Sequence, residues 1–151
     1  MSPLKLVALD RDDLEVVSTH LQDATVKVGE ILWRPSEKRV VIGLDRFDWE
    51  AAHSTMPVSQ RRRTALRFER VLQCKCRNVM SQEKHKVLNL LGIEFFADDS
   101  PAGHVVLMFE GGSALRLDVE CLEVELADLG PVWAAEAVPS PREDVAAPER
   151  G

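Results

Sequence analysis

Two adjacent glycines, Gly111 and Gly112, separate the runs HVVLMFE and SALRLDV, in which the residues alternate in polarity. Such alternation has the two-residue period of a strand with one buried face. Glycine adopts positive φ without a Cβ penalty, as a tight connection between antiparallel strands requires. The pair therefore predicts a hairpin. Treated as a two-residue loop, it sets Phe109 opposite Ala114, Met108 opposite Leu115 and Val106 opposite Leu117. Val106, Met108, Leu115, Leu117 and Val119 would then share the core face. A phosphate-cradling loop would need its glycines between a strand and a helix N-terminus, and no GKS or GKT is present. Beyond the hairpin, Leu122, Leu126 and Leu129 follow helical spacing, Glu120 and Glu123 fall in the first turn, and Gly130-Pro131 supplies a stop. A closing helix is expected there.

The two-residue period recurs upstream. Val26 and Val28 alternate with Lys27 and Gly29, Pro35-Ser36-Glu37-Lys38 makes a turn, and RVVIGLDRFDW follows, so this region reads as a second hairpin. Residues 50–63, EAAHSTMPVSQRRR, show no sheet pattern and contain Pro57, which predicts a surface loop. A further strand starts near Thr64 and places Leu66, Phe68, Leu72, Cys74 and Cys76 on one face, with Arg70 the exception. KVLNLLGIEFF is apolar on both faces apart from Asn89 and Glu94, as in a central strand. Near the start, Asp10 is a candidate N-cap, with Asp13 as the carboxylate of a capping box and a Leu9–Leu14 staple. Leu14, Val17 and Leu21 give one apolar stripe, so a helix is predicted over 11–23, after a short strand at 4–8.

These elements predict an α+β fold. About six antiparallel strands in meander order form a curved sheet or roll, with an N-terminal helix and a closing C-terminal helix. Residues 1–136 make a single α+β domain. Residues 137–151 hold three prolines among small and charged residues, and a disordered C-terminal tail is expected.

At 151 residues the chain can bury a core without disulfides or metals. Its formal net charge of -6 repels phosphates, which argues against nucleic acid or an anionic membrane as partner. Three cysteines with no secretory signal predict reduced thiols and a cytoplasmic location. Cys74-Lys75-Cys76 lacks the ligand number and spacing of a zinc site, and its apolar neighbours suggest small buried hydrophobes. The four histidines are dispersed, with no paired ligand motif, and no nucleophile elbow occurs. No catalytic, cofactor-binding or metal residue is assigned.

Two features suggest a surface for a partner. Arg61-Arg62-Arg63 is the sole cationic run, able to meet an acidic group or simply to keep a sheet edge solvated. Arg46-Phe47-Asp48-Trp49-Glu50 ends a strand, and Trp33-Arg34 stands on its pair. Aromatic rings with arginines are the usual anchors of interfaces, although these rings could equally pack as a satellite core.

The segments LKLVALDRDDLEVVSTHLQDATVKVGEILW, EKR, RFDWE, RRRTALRFERV, KVLNLLGIEF and LRLDVECLEVELADLGPVW resemble, in that order, a family of small proteobacterial proteins of unknown function. The resemblance implies no activity, cofactor or catalytic residue. The expectation is a non-catalytic cytoplasmic binding or adaptor protein with a protein partner. Its interaction surface would comprise Trp33, Arg34, Arg46, Asp48, Trp49, Arg61, Arg62 and Arg63. The alternative is a small-molecule-binding protein or enzyme with a pocket in the curved sheet.

Overall fold

Alternation decides the architecture. In the strand Arg39–Phe47, Val40, Ile42, Leu44 and Arg46 are buried while the residues between them are half-buried, so one face of the strand belongs to the core. The computed structural model describes residues 4–47, 60–129 and 133–134, the side chains of Gln60, Trp133 and Ala134 excepted. The elements are β1 (Lys5–Ala8), α1 (Arg11–His20), β2 (Thr25–Arg34), a 3-10 turn (Pro35–Glu37), β3 (Arg39–Phe47), β4 (Gln60–Phe68), β5 (Val71–Arg77), β6 (Val87–Ala97), β7 (Gly103–Phe109), β8 (Ala114–Val119), β9 (Val124–Asp128) and β10 (Trp133–Ala134).

The strands form one ten-stranded antiparallel sheet in the order β1-β9-β4-β3-β2-β6-β7-β8-β5, with β10 on β4. β2 joins its two halves, pairing with β3 along most of its length but with β6 only at Thr25, Val26 and Lys27. Inward side chains from both halves, among them Ile42, Leu66, Leu107 and Leu117, share a single core with Leu14 and Val17 of α1 and with Leu21, which caps its C-terminus. The helix starts as the sequence indicates: the Asp13 amide donates to the Asp10 carboxylate at 2.8 Å. Leu9, 62% exposed, does not act as a staple.

The expected α+β fold of six strands and two helices is therefore overturned. Among the described residues there are ten strands and one α-helix, and the predicted C-terminal helix is strand β9. Val124 and Leu126 are buried and alternate with Glu123, Glu125 and Ala127, while Leu129 is 46% exposed. The helical spacing of three leucines thus coincided with a two-residue period. Pairing with β1 on one side and β4 on the other fixed the strand. Meander order also fails, because β5 pairs with β8 and β9 lies between β1 and β4.

Three local expectations change with it. The run from Thr64 to Cys76 is two strands, broken where Arg70 takes φ 61 and the chain crosses between the halves of the sheet. The predicted loop at 50–63 ends earlier, since 60–63 open β4; its other residues lie outside those described, as do Gly130-Pro131 and the predicted tail at 137–151. The hairpin forms, with φ +86 at Gly111 and +85 at Gly112, but the Phe109 amide donates to the Ser113 carbonyl. Its loop is thus one residue longer than expected, and Met108 pairs with Ala114 rather than Leu115. A one-residue slip exchanges the faces of a strand, so Val105, Leu107 and Phe109 occupy the core instead of Val106 and Met108.

Candidate functional site

The predicted interaction surface divides into three places. Arg46 and Arg62 pair across β3 and β4 on the inward face, and Asp128 of β9 pairs with Thr64 beside them. Arg46 donates from Nε and Nη2 to the two Asp128 oxygens, each at 3.0 Å, and both side chains are 1% exposed. Arg62 comes within 3.7 Å of the same carboxylate. The Thr64 hydroxyl donates to it at 2.9 Å and the Leu4 amide at 2.7 Å. Burial raises the Asp128 pKa, but the hydrogen bonds from Arg46, Leu4 and Thr64 outweigh it and hold the carboxyl below its ordinary value. This cluster ties the first strand, the middle of the sheet and β9 together. Arg46 and Arg62 are core residues, not surface anchors.

Arg61 and Arg63 occupy the opposite face. Arg61 donates to the carbonyls of Asp23 and Asp45 at 3.2 and 3.3 Å, and Arg63 bonds Asp45 at 3.2 Å and pairs with Glu30. The cationic run is thus split by strand alternation and engaged within the molecule. Asp48 and Trp49 lie outside the described residues.

Trp33 and Arg34 stand elsewhere, beside an opening in the sheet. Val28 and Gly29 donate to the carbonyls of Lys86 and Lys84 at 2.9 and 3.0 Å, and the Val71 amide donates to the Lys38 carbonyl at 2.9 Å. These contacts close a ring made of residues 29–38 and 71–84. Its long sides are the second half of β2 and strand β5. Ile31 to Arg34 pair only with β3, and β5 pairs only with β8, so each strand has one edge with no strand on it among the described residues. Ile31, Trp33, Cys74 and Val79 project towards the core here yet remain partly exposed. Gly29 permits the approach of the crossing segment, since a Cβ there would meet the Lys84 Cβ at 3.0 Å.

The rim of this ring is cationic. Arg34, Lys75, Arg77 and Lys84 are exposed, and Arg116 stands opposite Lys75 on β8. Asp118 lies nearby, bonded by Arg116 at 3.0 Å and 4.0 Å from Lys75, and the ring also carries Glu30, paired with Arg63, Glu37, paired with Arg39 at 3.2 Å, and the exposed Glu83, so that cations outnumber acids there without being alone. Burial, with Cys76 beside it, pushes the Cys74 thiol up to about 12, which makes it a poor nucleophile and a poor ligand. Cys76 is exposed, contrary to its expected burial. No group of three or more metal-ligating side chains exists among the described residues.

Leu44, Leu66, Leu90, Leu107, Leu115 and Leu126 are almost wholly buried and occupy the inward faces. A groove of about 300 Å³ lies instead between α1 and β6, lined by Leu14, Ile93, Phe95, Phe96 and the charged Arg11, Glu15 and Glu94. Near it, Phe96 stacks on His104, whose Nδ1 lies 3.0 Å from Asp98.

Sequence reasoning reached Trp33 and Arg34 but missed β5 as an edge and missed Asp128. The available signal was charge on one face: Gln73, Lys75 and Arg77 alternate with Leu72, Cys74 and Cys76 in VLQCKCR, and lysine and arginine are marks of an edge strand. Among the described residues no helix is long and apolar enough to cross a membrane. A family described as "Protein of unknown function (DUF2948)" matches residues 4–141. No curated protein and no solved structure matches the chain.

Proposed function

This chain belongs to the DUF2948 family of proteins of unknown function, and on that footing we propose that it is a non-catalytic binding protein that takes an extended segment of a protein partner onto the open edge of β5. The family brings no chemistry with it, so the reading rests on one observation. Among the described residues β5 leaves an edge without a strand partner, next to a ring of partly exposed inward side chains. An unpaired edge presents backbone donors and acceptors in a row, and an added strand satisfies them while its alternate side chains fill whatever lies beneath. Trp33 and Val79 provide the apolar ground beneath such a strand.

The test selects binders from a displayed library of random heptapeptides and follows amide hydrogen exchange across the protein. Outward-facing amides of β5, between Leu72 and Arg77, are expected to exchange at least about tenfold more slowly in the complex, equivalent to about 1.4 kcal/mol. Selected peptides that slow exchange only along the α1–β6 groove would overturn the reading and favour a pocket-binding function. Failure to select any peptide that protects β5 would overturn it as well.

A further inference from the structure

We infer that the segment received by β5 alternates acidic and apolar residues, an inference that rests on the strand-addition reading above. The two faces of β5 differ. Cys74 and Cys76 pair with Leu117 and Leu115, whose side chains are core, so they mark the inward face. Lys75 and Arg77 mark the outward face, with Arg116 across from Lys75. An added strand has the same two-residue period, so its residues beside Lys75 and Arg77 point outward and those beside Cys74 and Cys76 point inward. The outward set meets Lys75 and Arg77, which carboxylates complement. The inward set meets Trp33, Val79 and Cys74, which apolar side chains complement.

The cationic rim is local, since the whole chain carries a net charge of -6. On the other terminal strand of the sheet, β1, Lys5 sits closer to its acid, 3.2 Å from Glu125, than Lys75 does to Asp118 at 4.0 Å. A second copy of this chain is the other conceivable occupant. Joining two β5 strands, however, would bring Lys75 and Arg77 of one copy against those of the other with no acid in either strand. Lysine and arginine on an edge are a recognised barrier to such self-pairing, and the same charges attract an acidic strand.

The experiment compares three capped peptides, EVEVEVE, SVSVSVS and KVKVKVK, by affinity and by hydrogen exchange at β5. EVEVEVE should bind at least about tenfold more tightly than KVKVKVK, as expected when two or three partly exposed charge pairs form or clash. The preference should collapse in about 1 M salt, where the Debye length is about 3 Å. Lys75→Glu combined with Arg77→Glu should invert it, whereas Lys5→Glu on the far edge should leave it unchanged. Both positions on β5 are exposed, and Lys75→Gln with Arg77→Gln, which should abolish the preference without inverting it, provides a second variant that removes the two charges while keeping polar side chains. Equal protection of β5 by SVSVSVS and EVEVEVE would overturn the acidic preference and leave strand addition standing. Failure of all three peptides and of every selected heptapeptide to protect β5 would remove both. Protection of β5 that rises with protein concentration alone, together with a doubled mass in sedimentation, would overturn the inference in favour of a second copy.

Discussion

Asp128 holds the arginine end of the core together, because one carboxylate receives Arg46, Thr64 and the Leu4 amide at once. Asp128→Asn preserves its shape and removes the charge from a place where two guanidinium groups are nearly inaccessible. Breaking a buried pair from one side costs about 3–5 kcal/mol, so urea unfolding at neutral pH should show a loss of that size. The carboxyl ionises more readily in the folded protein than an ordinary aspartate at 3.8. Its contribution is then complete above that value and fades as the pH falls below it through the folded pKa. The stability gap between wild type and Asp128→Asn should accordingly narrow in strong acid, and a gap constant into that range would contradict the ionic account. Much of this cluster could have been read from parity. Arg46 continues Val40, Ile42 and Leu44, and Arg62 continues Thr64, Leu66 and Phe68, so alternation alone places both inward. Charge suggested the surface instead, and no pattern in one strand announces a carboxylate supplied by another that lies 82 residues away in sequence.

At the scale of elements, loop lengths and turn conformations carry the information that the sequence hid best. The hairpin at Gly111-Gly112 was legible because two glycines have few other uses, yet one extra loop residue sufficed to exchange the core and solvent faces of β7. The crossing at Arg70 was not legible, since a positive φ there has no glycine or asparagine to mark it. β9 was misread because leucines at 122, 126 and 129 satisfy a helix, and only the strands on either side choose otherwise. Gly103, the first residue of β7, shows how close the elements lie. A Cβ on it would meet the Phe96 carbonyl oxygen at 2.4 Å and the Phe95 ring at 2.7 Å. Backbone and a packed ring cannot both yield, so Gly103→Ala should destabilise by about 1–3 kcal/mol through overpacking. Thermal melting measures it, and an unchanged melting temperature would show that the β6–β7 pair slides apart freely.

The whole molecule has one core, although its sheet has two halves joined by three pairs of residues between β2 and β6. Leu66 lies in one half and Leu107 in the other, and both are buried within the same cluster. Truncation of either to alanine should cost about 2–5 kcal/mol, and both variants should still melt in one transition whose calorimetric and van't Hoff enthalpies agree. Two resolved transitions in either variant would show that the halves are separate folding units. The pairing of β1 with β9 carries this unity into the order of synthesis. Lys5 pairs with Ala127, a separation of 127 − 5 = 122 residues. At about 5–20 residues per second a ribosome needs roughly 6–24 s to pass from one to the other. For that interval β1 has been made and its strand partner has not, and one flank of β4 waits about half as long for the same β9, since Thr64 pairs with Asp128. The nascent chain thus carries an incomplete sheet until almost every strand has emerged, and in the cell its vulnerability is set by elongation time as much as by the stability of the finished fold.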